Sequence, residues 1–327
     1  MACRYDRAFS ENALKALLPG GPFRFMVTDL PRHNKDPYCM DLQLREKNTL
    51  MYYRGTTRLL TVQIKLNGGL HAVATADKAY GAYPLCRDEY AKLMKRPWMA
   101  AESAEMKRAF DVYLASAAKA CRANYYREGT EGYLQNQLCC EWTKPGSEWL
   151  VIDRECVIGF DTRGEQREYY DPILNPYASI RNEFQTQDKV TWGVPAGKSF
   201  GDELDLLALD REGKVVLIEL KHGGNASGIY WGPMQILAYR DVFRKKLSEI
   251  SPSLKELVRQ KVALGLLSED ALARLPQGDF AFGGAVLGIG DPNPRSSCWG
   301  KMDLVVKRLG VSMSAEDKGA LRLISFS

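Results

Sequence analysis

Residues 201–221 read GDELDLLALDREGKVVLIELK and form the most informative segment of the chain. Two apolar runs flank a polar turn that contains Gly213, which is the pattern of a β-hairpin. Side chains two positions apart on a strand point to the same face of the sheet. The sequence therefore predicts that Glu219 and Lys221 lie side by side on one face of the second strand.

The length of the turn decides what lies across from Glu219. The turn comprises either residues 210–213 or residues 210–214. With the five-residue loop, Asp205 on the first strand falls directly opposite Glu219, and opposed residues have Cβ atoms about 4.5–5.5 Å apart. Two carboxylates and the Lys221 ammonium would then meet on one patch of the sheet. Unpaired charges within an apolar strand cost several kcal/mol. A divalent cation offsets this cost, and hard oxygen ligands around a small cavity favour Mg²⁺.

The spacing E-x-K is common, and this chain contains it four times. Three of the pairs lie in a helical run, in the hairpin turn and in a polar stretch: Glu105/Lys107, Glu212/Lys214 and Glu316/Lys318. We interpret these three as solvated surface charges. Only Glu219/Lys221 ends an apolar strand that has an acid on its partner strand. A purely structural ion pair between Glu219 and Lys221 is the alternative interpretation.

This hairpin resembles the core of the PD-(D/E)XK nuclease superfamily, in the branch that includes RecB-like and Mrr-like nucleases. The matching features are Asp205, the step of 14 residues to Glu219 and the following Lys221, although Leu204 stands where proline is usual. The resemblance implies an α/β fold with a restriction-endonuclease-like core, a mixed central sheet flanked by helices. It also implies that Asp205, Glu219 and the Leu220 carbonyl bind Mg²⁺, or Mn²⁺ in its place, while Lys221 orients or activates the attacking water.

The segment after the hairpin adds to the resemblance. Gln235 and Tyr239 are four positions apart in a predicted helix and so share a face. The pair is similar to the Q-x-x-x-Y motif of RecB-like nucleases, in which both side chains lie beside the metal site. The alternative is the edge of an ordinary amphipathic helix. Gly223, Gly224 and Gly228 match no phosphate-loop motif, and we interpret them as a mobile connection over the cleft.

A helix that precedes the sheet often contributes a glutamate to the metal site in this superfamily. Glu131 fits this position best, with Glu128 as a rival one turn earlier. We therefore expect Glu131 among the catalytic and metal-binding residues. The alternative is an acid in the first turn of a helix, where the helix dipole favours negative charge.

Charge and hydrophobic pattern suggest two domains in the 327 residues. Residues 1–115 contain 18 Lys/Arg and 12 Asp/Glu, a surplus of 6, whereas residues 116–327 contain 27 and 28. Alternating apolar residues between 23 and 75 predict a small antiparallel sheet. We expect a β-rich N-terminal domain, 1–115, that binds nucleic acid or dimerises, because basic surface suits phosphate. A nuclease domain, 116–327, would follow it.

The cysteines and apolar segments bear on the cellular compartment. None of the eight cysteines forms a CxxC pair, and no histidine lies at zinc-ligand spacing from them. No apolar run reaches the roughly 18 residues that a membrane helix needs. The first residues lead into no apolar signal core. These features predict a cytoplasmic protein that has reduced thiols and no membrane partner.

Together these observations predict a metal-dependent endonuclease that cleaves DNA in defence, restriction or repair, and a homodimer is compatible with this prediction. Two alternatives remain open at this point. One is a catalytically silent nuclease fold that binds nucleic acid or protein, and the other is a nuclease that acts on RNA. The choice of DNA over RNA rests on analogy with the family alone.

Overall fold

The computed structural model describes residues 3–28, 30, 40–76, 86–121, 129–186, 191–193, 203–311 and 321–326. The chain divides into two compact units, each with its own sheet. The N-terminal unit comprises Asp6–Ser147 and Ser253–Ala273. The C-terminal unit comprises Met1–Tyr5, Glu148–Pro252 and Arg274–Ser327. The α/β class expected from the sequence is confirmed.

The N-terminal unit contains a five-stranded antiparallel sheet in the order β1-β2-β3-β4-β5. Its strands are β1 Asp41–Arg45, β2 Thr49–Arg54, β3 Thr57–Lys65, β4 His71–Thr75 and β5 Trp98–Met99. Its first helices are α1 Glu11–Lys15, α2 Phe25–Thr28, α3 Arg87–Met94, α4 Ser103–Ala120 and α5 Glu131–Glu141. Both α4 and α5 pack on the sheet. The antiparallel sheet predicted for this region is confirmed.

The C-terminal unit contains a mixed five-stranded sheet in the order β10-β9-β8-β7-β6. Its strands are β6 Leu150–Cys156, β7 Leu204–Leu209, β8 Val215–His222, β9 Phe282–Gly290 and β10 Leu321–Phe326. The remaining helices are α6 Arg163–Gln185, α7 Ala226–Ala263, α8 Asp270–Ala273 and α9 Cys298–Leu309. Strands β6, β7 and β8 are antiparallel, whereas β9 and β10 run parallel to β8. Parallel neighbours need a crossover, which α7 and α9 provide.

Strands β7 and β8 are buried on both faces. From Leu206 to Leu209 and from Val215 to Leu220, every side chain is nearly inaccessible to solvent. Interior strands therefore read as continuous apolar runs rather than as alternating ones. This explains why the hairpin was the clearest pattern in the sequence, and why two charged residues within it stand out.

Sequence patterns did not predict α6, which occupies about half of the segment between β6 and β7. Pro172 and Pro176 lie inside this helix, and proline usually ends a helix. Its start does carry a recognisable signal. The Thr162 hydroxyl accepts a hydrogen bond from the Glu165 amide, and the Glu165 carboxylate accepts one from the Thr162 amide. This capping box fixes the first turn.

Helix α7 is longer than the sequence suggested. The hydrophobic pattern predicts a long helix at about 231–249 and a shorter one near 253–264. The structure has one helix from Ala226 to Ala263 that passes through Pro252. Pro252 itself is exposed, while the residues before and after it are largely buried, and this packing holds the helix together across the proline. The helix also begins earlier than expected, so Gly228 lies in its first turn rather than in a loop.

The division between the units differs from the predicted boundary near residue 115. That position lies inside α4, and the N-terminal unit continues to Ser147 and includes the end of α7. The physical reason is a set of contacts between distant parts of the chain. The Gln260 amide pairs with the backbone of Phe9, and Lys261 Nζ donates to Gln43 Oε1 at 2.6 Å. Local sequence patterns contain no information on such pairings.

The structure also describes the thiols and the helices. The seven cysteines in the described residues form no disulfide bond with one another, and all except Cys3 are buried. Cys139 and Cys140 are adjacent on α5 and both belong to the core. Within the described ranges, no helix combines the length and the apolar character that crossing a membrane requires.

Candidate active site

The β7–β8 hairpin has the longer of the two loops that the sequence allowed. Leu209 pairs with Val215, so the loop comprises the five residues 210–214, and the ladder continues to Leu206 and Ile218. The Asp210 carboxylate closes the loop by accepting hydrogen bonds from two backbone amides of the turn. The same register, continued by one residue, puts Asp205 across from Glu219.

Asp205 is fixed to the second strand by its side chain. Its Oδ2 accepts a hydrogen bond from the backbone N–H of Leu220 at 2.8 Å. The carboxylate therefore takes up a backbone donor of β8 just beyond the last regular pair of the ladder. This bond holds the acid against the strand that carries Glu219 and Lys221. The backbone of Leu220 therefore lies beside the Asp205 carboxylate.

Glu219 and Lys221 form a buried ion pair. Lys221 Nζ donates to Glu219 Oε1 at 2.5 Å, and the two side chains are 8% and 1% exposed. The desolvation cost of such a pair can exceed its Coulombic attraction, so burial of this kind is weak support for stability alone. The structure thus brings together Asp205, Glu219 and Lys221, the three residues that the sequence singled out.

A third strand adds two charged residues that sequence reasoning missed. Strand β6 pairs with β7 so that Arg154 faces Leu206, which puts Glu155 across from Asp205. Arg154 is fully buried, and its Nη2 lies 3.2 Å from Glu155 Oε1. Glu155 also has a φ of 50°, an uncommon conformation for a residue other than glycine. Three consecutive charged residues, 153–155, within an apolar strand were the signal that could have revealed them.

The surroundings of Asp205 contain groups that raise its pKa and groups that lower it. Loss of hydration on burial raises the pKa of the Asp205 carboxyl above its usual value, and the charge of Glu155 adds to the rise. The Lys221 ammonium, the hydrogen bond from Leu220 and the Arg154 guanidinium all act in the opposite direction. A cation placed beside Asp205 would therefore favour the ionised carboxylate.

Helix α7 covers the face of the sheet that carries the acids. A Cβ built on Gly232 would lie 2.7 Å from Leu287 Cδ1, so the helix backbone approaches β9 closely. Leu287 pairs with Glu219 and therefore shares its face. Further along α7, the Tyr239 hydroxyl donates to the carbonyl of Glu203 at 2.7 Å, two residues before Asp205.

The two α7 residues predicted for the site differ in their contacts. Tyr239 is buried and anchors the chain where β7 begins. Gln235 lies one turn earlier on the same side of the helix and is half-buried. Its amide forms no hydrogen bond with any other residue that the structure describes. A contact of Gln235 with metal or substrate stays a prediction.

Glu131 is the first residue of α5, in the N-terminal unit, and is half-buried. The Thr130 hydroxyl caps this helix by accepting a hydrogen bond from the Tyr133 amide. An acid in this first turn is also what the helix dipole favours, as the alternative interpretation held. The role of Glu131 in a metal site stays a prediction, and Glu128 lies outside the described residues.

The donor set of the hairpin suits a hard divalent cation. Asp205 and Glu219 offer carboxylate oxygens from neighbouring strands, and the backbone of Leu220 lies beside them. These are the oxygen ligands that Mg²⁺ prefers. Within the described ranges, no three His, Cys, Asp or Glu side chains come together as a preformed metal group. Metal would therefore rely on these two acids together with backbone and water oxygens.

Comparison of the chain with protein-family models, with curated proteins and with solved structures gave no match.

Proposed function

We propose that this chain is a metal-dependent nuclease that hydrolyses phosphodiester bonds in DNA. The observation that carries the proposal is the position of Asp205 opposite Glu219, beside the buried Lys221. Two acids and a lysine on interior strands are costly for folding, and a divalent cation with a phosphate group would balance their charges. We further propose that the enzyme cuts internally and acts in defence, restriction or repair.

The connectivity of the C-terminal sheet supports the proposal. Three antiparallel strands are followed by a helix and then by a parallel strand, with the acids on the second and third strands. A mixed sheet with helices is what the resemblance to a restriction-endonuclease-like core implies. The helix that follows the hairpin also carries Gln235 and Tyr239 on one side, as in the Q-x-x-x-Y motif. We therefore assign the C-terminal unit to the catalytic role.

Each residue of the site has a distinct task in this proposal. Asp205, Glu219 and the carbonyl of Leu220 would hold Mg²⁺ or Mn²⁺, which supplies Lewis-acid polarisation of the phosphate when bound. Lys221 would orient the attacking water and stabilise the negative charge that develops on the phosphate oxygens. Tyr239 holds the start of β7 through Glu203, so that Asp205 keeps its position.

One observation favours a second candidate function. Lys221 already neutralises Glu219 through a direct contact, so the pair also satisfies itself without metal. A nuclease fold that binds nucleic acid or protein without cleaving it would require nothing further. The identity of the sugar is also open, because neither the acids nor the lysine distinguishes DNA from RNA.

The proposal is tested by incubating the protein with plasmid DNA, circular single-stranded DNA and RNA, in Mg²⁺, Mn²⁺ or EDTA. We expect cleavage of circular DNA only with metal, reduced at least about a hundredfold in Lys221→Met. Lys214→Met is the matched control, since Lys214 belongs to an E-x-K pair at the exposed end of the same hairpin. Absence of cutting on every substrate would favour the binding fold, and cutting of RNA alone would change the substrate class.

A further inference from the structure

Gly228 lies in the first turn of α7, against the aliphatic part of Lys221. A Cβ built on Gly228 would lie 2.9 Å from Lys221 Cδ, a distance at which one of the two groups must move. The Lys221 side chain is 8% exposed, so it has little free space to occupy instead. Glycine at this position permits the helix backbone to form one wall of the space that holds the lysine.

The same turn is fixed relative to β8 by hydrogen bonds. The Asn225 amide donates to the His222 carbonyl at 2.8 Å, which closes the turn that follows the strand. Asn225 Oδ1 accepts from the Gly228 amide at 2.9 Å, and the Asn225 carbonyl accepts from the Ile229 amide. The start of α7 therefore has a defined position only a few residues after Lys221.

Lysine needs such a wall because its side chain has four rotatable bonds and ends in a compact charge. At the site, its Nζ must reach Glu219 Oε1, which lies 2.5 Å away. Contact with a backbone that cannot change its rotamer restricts the stem more firmly than contact with another side chain would. Catalytic groups displaced by about 1 Å can lose roughly a hundredfold in rate.

We propose that Gly228 is the positioning residue for Lys221, and that the first turn of α7 directs the ammonium toward Glu219. The effect on catalysis rests on the proposed nuclease function, whereas the position of the ammonium does not. The competing explanation is that Gly228 serves the helix cap alone. A Cβ there would also lie 2.5 Å from Asn225 Nδ2, so a substitution disturbs the cap and the lysine together.

Four variants separate the two explanations. Gly228→Ala places a methyl group against both Lys221 and Asn225. Asn225→Ala removes the cap and leaves the helix backbone at Gly228 unchanged. Asn225→Gly combined with Gly228→Ala removes the clash with the Asn225 side chain and keeps the clash with Lys221, so this double variant also serves if Gly228→Ala fails to fold. Gly224→Ala is a neutral control in the same turn, since its nearest neighbour would be His222 Nδ1 at an ordinary 3.4 Å.

The first measurement is competitive acetylation of lysines in the metal-free protein, followed by mass spectrometry. Labelling of Lys221 is expressed relative to Lys214, which is 38% exposed and serves as an internal reference. We expect a severalfold rise in Lys221 labelling in both variants that contain Gly228→Ala. Asn225→Ala and Gly224→Ala should stay at the wild-type ratio. Unchanged labelling in the Gly228→Ala variants, or an equal rise in Asn225→Ala, would overturn the proposal.

The second measurement is cleavage, provided that the wild type cuts. We expect kcat to fall about tenfold to a hundredfold in the two Gly228→Ala variants, with KM changed little. Asn225→Ala should retain kcat even if its unfolding midpoint falls. If the wild type cuts nothing, the acetylation ratios still show whether Gly228 positions Lys221, because they do not depend on nuclease activity.

Discussion

The β7–β8 hairpin carries two E-x-K pairs that differ in burial rather than in geometry. Lys214 Nζ lies 2.6 Å from Glu212 Oε2 in the turn, and Lys221 Nζ lies 2.5 Å from Glu219 Oε1 at the other end. The lysine and glutamate of the turn are 38% and 52% exposed, against 8% and 1% for the inner pair. Identical spacing and nearly identical distances thus occur in opposite environments.

This contrast shows that a motif acquires its chemistry from its surroundings. Water and salt screen the pair in the turn, and such pairs contribute little to stability. The inner pair has lost its hydration and lies beside Asp205, so its charges act strongly on each other and on any ligand. The following predictions test this difference, in order of decreasing expected effect.

The largest expected effect is on stability when the inner pair loses its cation. Lys221→Met leaves Glu219 as a buried charge, and breaking a buried pair in this way costs about 3–5 kcal/mol. Urea unfolding at pH 7 in EDTA measures the loss. The matched substitution Lys214→Met should leave the unfolding curve unchanged.

A double variant, Glu219→Met with Lys221→Met, sharpens this test. Because it removes both charges, it should be more stable than Lys221→Met alone. If Lys214→Met destabilises the protein as much as Lys221→Met does, the assumed difference between the two pairs does not exist.

Asp205→Asn is expected to raise the free energy of unfolding, by less than Lys221→Met lowers it. Burial raises the pKa of Asp205, so ionisation of this carboxyl costs the folded state more than the unfolded state. The stability of the wild type should therefore decline, relative to the variant, as pH rises from the usual carboxyl range through the raised pKa. Asparagine can still accept the Leu220 hydrogen bond through its Oδ1.

Urea unfolding between pH 4 and 8, without metal, gives the difference in unfolding free energy between Asp205→Asn and the wild type. We expect Asp205→Asn to gain in relative stability with pH and to lose metal-dependent cleavage. If the difference in unfolding free energy does not change with pH, burial adds no free-energy cost to the ionisation of Asp205. Asp210→Asn is not a suitable control, because the Asp210 carboxylate closes the turn; Asp161→Asn, on an exposed side chain, is better.

The smallest effect is expected for Tyr239→Phe, which removes the hydrogen bond to the Glu203 carbonyl. The loss of one buried hydrogen bond costs about 1 kcal/mol. Tyr169→Phe is the matched control, because the Tyr169 hydroxyl donates to a backbone carbonyl at a similar distance, that of Val242 at 2.6 Å. Both variants should be destabilised to a similar extent, measured by thermal unfolding. Only Tyr239→Phe should lower the cleavage rate, because the Tyr239 bond reaches the start of β7 whereas the Tyr169 bond does not.

Much of the candidate site could be predicted because its information is local. Two apolar runs and a five-residue turn set the register, and the period of two then put Glu219 and Lys221 on one face with Asp205 opposite. The helical spacing of Gln235 and Tyr239 was local in the same sense. The same reasoning correctly assigned Glu212 and Lys214 to the exposed turn.

The missing elements depend on contacts between distant segments. Glu155 faces Asp205 only because β6 pairs with β7 across an intervening helix, a pairing that no short motif encodes. Helix α6 contains Pro172 and Pro176 within its length, and α7 continues through Pro252. In α7 the buried residues next to Pro252 outweigh the local preference against proline.

The sequence alone predicted the hairpin and the three charged residues that meet there, because strand periodicity acts over a few residues. It left the turn at four or five residues, and the structure shows five. Tertiary packing accounts for the burial of the inner pair, for the position of Arg154 and Glu155 near Asp205, and for the approach of Gly228 to Lys221. Burial and close approach are properties of chain segments packed together from far apart, and these properties distinguish the two E-x-K pairs of one hairpin.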